Sequence, residues 1–359
     1  MSTYFLSCPR GLEQVTCDQL SQYINTSINI ELGGISFSGG LEEMYLVNLH
    51  SRTGMYLFKQ LHQFKISRAD QLYKIIYQLD WDSLIGTEKT FSIKTKLKSR
   101  LFDHSNYVTL KIKDAIVDHI RAKHHKRPSI NKIDPDISLM VTLVDQKLSI
   151  YLNSTGAPLF KRGYRTQIHK AALNESLAAG IILLSNWDRT SSFYDIMCGF
   201  GTIPLEAAMI AYNIAPGLYK KHYAFQKWDD YDSKLWDKVL LEAKEKIAIN
   251  KNLKIFGSDH IKHNIDISIK SATNLNVVDC ITFSKLDINK FEPHSNSGTI
   301  IINPPYGNRI GPNDQIKGLY KNLGDVFKNN CSGHDVFIFT FINIWNANRS
   351  RDRKYWYSG

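Results

Sequence analysis

Asn303, Pro304, Pro305 and Tyr306 directly follow the apolar run Thr299 to Ile302, and these four residue types suit one kind of chemistry. Proline cannot donate to a strand ladder, so the pair ends the strand and leaves Asn303 and Tyr306 on a stiff loop at its C-terminal end. That end of an open parallel sheet is where ligands bind. The exocyclic amine of a nucleobase is a weak nucleophile because its lone pair is delocalised into the ring. Acceptors on both of its N–H groups favour a pyramidal nitrogen whose lone pair can point at an alkyl donor. The side-chain oxygen of Asn303 and the carbonyl of Pro304 can supply them, with the geometry fixed in advance by the prolines. Tyr306 can stack on a base taken out of its helix. The attack needs no general base, because the proton leaves after the nitrogen has become cationic. The bland alternative is a Pro-Pro turn of purely structural use.

Three further strand ends carry suitable residues. "DIMCGFGT" (195–202) follows an expected strand and opens a helix. Gly199 and Gly201 there let the backbone turn sharply and approach a ligand, although a Gly-x-Gly also serves as a plain strand-to-helix turn. Asp259, in "IFGSDH", could accept hydrogen bonds from two ribose hydroxyls or merely cap the next helix. Asp287, in "SKLDINKF", offers the same two readings, with an adenine amine as the ligand. Asp259 stands 58 residues beyond Gly201, against about 20 in dinucleotide-binding folds. That spacing disfavours a nicotinamide oxidoreductase and leaves another adenosine cofactor open.

The elements that must position these residues form the second half of the chain. From about residue 166, longer helices alternate with the short apolar segments "SFYDIM", "KIFGSD", "CITFSK", "TIIIN" and "DVFIFTF". Such alternation predicts βαβ units around a parallel sheet covered on both faces. The first half reads as two smaller α+β units: residues 1–60, and residues 61–155 with a tight "DQ" turn between two strands. Gly156 and Pro158 interrupt regular structure and mark 156–165 as a linker, with the catalytic unit at 166–359.

At 359 residues the chain should hold two or three domains, and 43% hydrophobic with 22% charged residues describes a soluble globular protein. A net charge of +11 and a pI near 9.2 favour a polyanionic partner, although a merely basic enzyme would look the same. Five widely spaced cysteines suggest neither a disulfide framework nor a zinc site, which fits a reducing cytoplasm. The longest apolar run, "AAGIILL", is too short to span a bilayer, so a cytoplasmic protein without a membrane is expected. Lys94, Lys96, Lys98 and Arg100 alternate along one strand and could neutralise phosphates. "FKRGYR" offers Arg162 and Arg165 as further basic residues where the first half of the chain joins the second. His124, His125, Lys126 and Arg127 form another basic cluster, equally readable as a solvated face. Adjacent histidines without a nearby third ligand argue against a metal.

At the glycine loop, the acidic strand ends and the Asn-Pro-Pro-Tyr loop, the sequence resembles a class I S-adenosylmethionine-dependent methyltransferase of the amino-group type. "YFLSCPRGLEQV", "GGISFSG", "LFKRGYRTQIHKAALNESLAAGIILLSNW" and above all "APGLYKKHYAFQKWDDYDSKLWDKVLLEAKEKI" resemble the bacterial THUMP-domain methyltransferases of large-subunit ribosomal RNA, the RlmL-like family. The resemblance covers nearly the whole chain. It implies a Rossmann-like α/β methyltransferase domain preceded by ferredoxin-like and THUMP α+β domains, with guanine-N2 methylation of 23S rRNA as the activity. Asp195, Cys198, Gly199, Gly201 and Thr202 would then line the methionine end of the cofactor. Asp259 would hold the ribose, Asp287 would sit near the adenine, and Asn303 to Tyr306 would form the reaction site. Ile196, Phe200 and Ala172 depart from the family pattern, and "RKYWYSG" ends about where the family continues into a last strand. Guanine-N2 methylation of tRNA, and a non-catalytic RNA-binding or ribosome assembly factor on the same fold, are the alternatives. A DNA adenine methyltransferase shares the Asn-Pro-Pro-Tyr loop but fits the first 165 residues less well.

Overall fold

A computed structural model describes residues 1–165, 167, 173–305, 313–340 and 356–357. Its second half has the predicted parallel sheet. Strands β8 (Phe193–Asp195), β9 (Ile255–Asp259), β10 (Ile281–Lys285), β11 (Gly298–Ile302), β12 (His334–Thr340) and the short β13 (Trp356–Tyr357) lie in the order β10-β9-β8-β11-β12-β13, every pair parallel. Helices α5 (Glu175–Leu184), α6 (Thr202–Ala211), α7 (Ser233–Glu245), α8 (Lys262–Asn274) and α9 (Asn313–Asn330) connect or flank them. The isoleucine run of β11 shows why the strand reads as continuously apolar. Ile301 packs into one buried cluster and Ile300 and Ile302 into another, so both sheet faces are covered. The order of connection reverses between β8 and β11: the chain leaves β8 toward β9 and β10, then returns to β11 on the other side. A crevice at such a reversal, outside the carboxyl ends of the strands, is where open α/β sheets bind ligands.

In the first half the strands of the two expected units join in one sheet. Strands β1 (Ser2–Ser7), β2 (Ile28–Glu31), β3 (Gly34–Gly39), β4 (Tyr56–Lys65), β5 (Phe91–Lys98), β6 (Ile137–Val144) and β7 (Lys147–Asn153) form one seven-stranded sheet, β2-β3-β1-β4-β7-β6-β5. The expected boundary at residue 60 falls inside β4. This strand pairs with β1 over Tyr56 to Lys59 and with β7 from Phe58 to Lys65, with a bulge between Gln60 and His62. Two small sheets each present an unpaired edge, and one long shared strand satisfies both. The predicted "DQ" turn joins β6 to β7, with Asp145 left-handed at φ +52°. Helices α1 (Glu13–Leu20), α2 (Leu41–His50), α3 (Gln71–Tyr77) and α4 (Ser105–His124) contribute buried residues to a single core on one face of the sheet.

That core does not end with the first half. Tyr223, Phe225, Trp228, Trp236, Val239 and Ala243, all from the insertion between α6 and β9, belong to it. Trp236 sets its ring edge against Tyr45 of α2 at 5.4 Å, and against Tyr223 and Phe225 at 5.3 and 5.1 Å. The Asp232 N–H donates to the Tyr45 hydroxyl at 2.9 Å. The aromatic insertion thus fastens the second half of the chain to the first. Among the described residues no helix is long and apolar enough to cross a membrane.

Candidate active site

The carboxyl ends of β8, β9, β10 and β11 bring Asp195, Asp259, Asp287 and Asn303 to one edge of the parallel sheet. Residues 196–201 turn from β8 into α6. Gly199 and Gly201 both have positive φ, +53° and +74°. A Cβ on Gly201 would lie 2.9 Å from Ser268 of α8, whereas one on Gly199 would meet nothing within 4 Å. One glycine therefore permits close packing behind the loop, and the other leaves its front open to a ligand. The loop is tied down by backbone bonds, Cys198 N–H to the Ser258 carbonyl at 2.8 Å and Gly201 N–H to the Cys198 carbonyl at 2.8 Å.

Asp259 organises this loop. Its Oδ2 accepts the Gly199 N–H at 3.0 Å, and its Oδ1 accepts from the Ile261 N–H at 2.8 Å and the Asn264 amide at 3.1 Å. Helix capping and loop support thus fill three of the carboxylate's four acceptor positions and leave one, on Oδ2, for a ligand hydroxyl. Asp195 is buried, and the hydrogen bond it receives among the described residues comes from the Met197 N–H at 3.2 Å. Burial first, and the neighbouring Asp259 second, push its carboxyl well above the ordinary range. An uncompensated buried acid beside an open glycine backbone fits a cationic ligand such as the methionine end of S-adenosylmethionine. Cys198 is buried too, and its thiol is raised well above normal by that burial and by Asp195 and Asp259. It packs as an inert thiol.

Asp287 is exposed and caps the turn Ile288–Lys290, accepting from the Asn289 N–H and amide at 2.9 Å each, which holds its carboxyl low. The adjacent Leu286 N–H donates to the Asp259 carbonyl, so this turn sits against the end of β9. Asn303 and Pro304 follow β11, the strand next to β8 across the reversal point. Pro304 is buried and Pro305 partly so. Among the described residues the solvent-inaccessible Asn303 Oδ1 has no hydrogen-bond partner, and a ligand N–H there would relieve a cost of about 1–3 kcal/mol. Tyr306 lies outside the described residues, as does Ala172.

The basic residues divide sharply. Lys94, Lys96, Lys98 and Arg100 are exposed on one side of β5 and its end, as their alternation predicts. Arg162 and Arg165 require correction as RNA contacts. Arg162 is 2% exposed; it faces Glu206 at 3.4 Å and donates to the carbonyls of Ser51, Arg52 and Leu159. Arg165 places Nε 2.6 Å from Glu175 Oε1 and donates from Nη2 to Thr202 Oγ1 at 2.6 Å and to the Leu173 carbonyl at 3.1 Å. Both guanidiniums are spent inside the protein, where a buried charge demands a partner. Thr202 is itself 4% exposed and so braces the loop from behind. In the histidine cluster, Lys123 and His124 pair with Asp82, and Lys126 with Glu88 at 2.6 Å. Sequence reasoning missed Ser268, whose hydroxyl donates to the Gly199 carbonyl at 3.2 Å, and Asn264 on Asp259. Their spacing of four on one helix face is the signal that could have found them.

Comparison with known proteins agrees with this architecture. Residues 162–346 match the family model described as RMKL-like, methyltransferase domain; residues 67–153 match the THUMP domain, and residues 3–55 the RlmL ferredoxin-like domain. A Synechocystis protein provisionally named an RNA methyltransferase is 32% identical over 94% of this chain and 88% of its own length. A protein of Shewanella frigidimarina named ribosomal RNA large subunit methyltransferase K/L is 33% identical over 94% of this chain. The chain spans 48% of that relative's length, about half of the K/L proteins it matches. A crystal structure provisionally described as a methyltransferase, in complex with S-adenosylhomocysteine, superimposes with a TM-score of 0.83 at 28% identity, covering 94% of this chain and 89% of that one. The Rossmann-like sheet, its acidic carboxyl edge and these matches agree: the chain belongs to the RMKL-like methyltransferase family and carries that family's domain behind an RlmL-type ferredoxin-like domain and a THUMP domain.

Proposed function

We propose that this protein methylates the exocyclic N2 amine of a guanine in 23S ribosomal RNA, using S-adenosylmethionine. The observation that carries the reading is the buried Oδ1 of Asn303 beside Pro304, at the reversal point of the sheet, which has no partner among the described residues. A built-in acceptor without a donor awaits an N–H, and a base amine brings two. The cofactor would supply an electrophilic methyl group on a sulfonium. Asp195, ionised, would face its cationic methionine end beside Gly199 and Gly201, with Cys198 and Thr202 shaping the loop. Asp259 would take a ribose hydroxyl on Oδ2 while holding that loop, and Oδ2 of Asp287, unengaged among the described residues, would reach the adenine amine.

Asn303 Oδ1 and the Pro304 carbonyl would then accept the two N–H groups of the guanine amine. Its lone pair would point at the methyl carbon, and the proton would be lost after transfer. Pro305 stiffens the loop, and Tyr306 is assigned to stacking on the base. Lys94, Lys96, Lys98 and Arg100 would hold the RNA. The names of the K/L relatives support ribosomal RNA over tRNA.

Transfer of labelled methyl to unmodified 23S RNA, with unmodified tRNA in parallel, tests the reading. Label recovered as N2-methylguanosine from 23S RNA is expected. Label in tRNA alone would overturn the substrate. No label in either, with S-adenosylmethionine still bound, would favour a non-catalytic RNA-binding or assembly factor.

A further inference from the structure

The seven-stranded sheet has two unlike faces. One carries Leu6, Leu57, Leu152 and Val141 into the core shared with the helices. The other face has no place in that core. Strand register runs a row across it: Phe5 opposite Phe58, Gln60 opposite Tyr151, Tyr151 opposite Met140, and Met140 opposite Lys94. Phe5, Tyr56, Tyr151 and Met140 are partly exposed and belong to none of the buried clusters or the side chains packed on them. The rings instead contact each other. Tyr56 stacks on Phe58 at 5.8 Å and 24°, and Phe58 meets Tyr151 at 6.1 Å.

Beyond Tyr151 the same face reaches the edge strand β5, two strands or about 10 Å away. There Lys94, Lys96 and Lys98 stand exposed, and no ion pair among the described residues engages them. By contrast, Lys123 and His124 at the end of α4 pair with Asp82, and Lys126 just beyond it pairs with Glu88. The acidic residue among the strands of this face, Glu31, lies on β2, the opposite edge strand, though its charge, after burial, helps to raise the pKa of the Tyr151 hydroxyl. A ring platform beside unpaired lysines complements a polyanion with exposed flat bases. Duplex RNA offers phosphates but hides its base faces, whereas an unpaired strand offers both.

We infer that the open face of the seven-stranded sheet binds a single-stranded stretch of RNA, bases on Tyr56 and Tyr151 and phosphates on Lys94, Lys96 and Lys98. The inference rests on RNA being the substrate. It goes further in naming the surface and the unpaired form of the RNA it takes.

Fluorescence anisotropy on the full chain, with a labelled unpaired oligoribonucleotide and the same strand annealed to its complement, tests it. The unpaired strand should bind more tightly than the duplex. Tyr151→Ala should weaken it at least about fivefold, the effect of one lost base stack, and Tyr151→Phe, which keeps the ring, should bind as the parent does. Changing Lys94, Lys96 and Lys98 to Gln should lower the log–log salt slope by about 2. Equal binding of strand and duplex, or no effect of Tyr151→Ala in protein that still binds S-adenosylmethionine, would overturn the assignment. So would methyl transfer to 23S RNA that is indifferent to all these changes, although the proposed reaction would then stand. Oligonucleotide binding that depends on Tyr151 in a protein that transfers no methyl would separate the two the other way.

Discussion

Asp195 carries a cost that a ligand would relieve. Its carboxyl is raised by burial and by Asp259, so the folded protein holds that proton more tightly than the unfolded chain. The ligand-free fold therefore loses stability as pH climbs from the ordinary carboxylate range, about pH 4, toward the raised value. Asp195→Asn has no proton to lose. In urea at neutral pH the ligand-free variant should be more stable than the parent, with a flatter pH dependence above about pH 4. Calorimetry should show it binding S-adenosylmethionine at least about tenfold more weakly; equal affinity would remove Asp195 from the cofactor site. Gly201→Ala should lose about 1–2 kcal/mol in the same denaturation, because φ is +74° and Ser268 occupies the space a Cβ needs. Their candidacy was legible because loops at strand ends restrict residue type. The fate of Arg162 was not, because burial of its charge depends on Glu206, 44 positions away.

At the level of elements, pattern revealed what is local and hid what is shared. The parallel strands and the "DQ" hairpin follow from apolar runs and turn residues. The merger of two small sheets through β4 does not, because alternation within a strand says nothing about which neighbour takes each edge. The buried pair Arg162–Glu206 links the linker to α6, and Arg162 also holds the carbonyls of Ser51 and Arg52. Glu206→Leu should destabilise the protein by about 3–5 kcal/mol, read as a lower urea midpoint, because it leaves a buried guanidinium unpaired. A loss under about 1 kcal/mol would mean the charge is compensated elsewhere.

For the whole molecule, the insertion between α6 and β9 decides how the two halves sit together. Its Trp, Tyr and Phe residues mark it as unusual in the sequence, but their target, the core around α2, appears only in the fold. Trp236→Ala should cost about 3–5 kcal/mol of stability. It should also impair methylation of large RNA more than binding of S-adenosylmethionine, because the sheet proposed to hold RNA and the proposed reaction site would lose their fixed relation; equal losses in both would argue against that coupling. The sheet reversal, the neighbouring acidic strand ends and an amide oxygen without a partner among the described residues all point to Asn303. The most direct measurement is single-turnover methyl transfer by Asn303→Ala to unmodified 23S RNA, with cofactor affinity measured alongside. A rate lower by about 100-fold or more, with S-adenosylmethionine binding within about threefold of the parent, is the predicted result. A near-parental rate would contradict the assignment of Asn303 to the guanine amine.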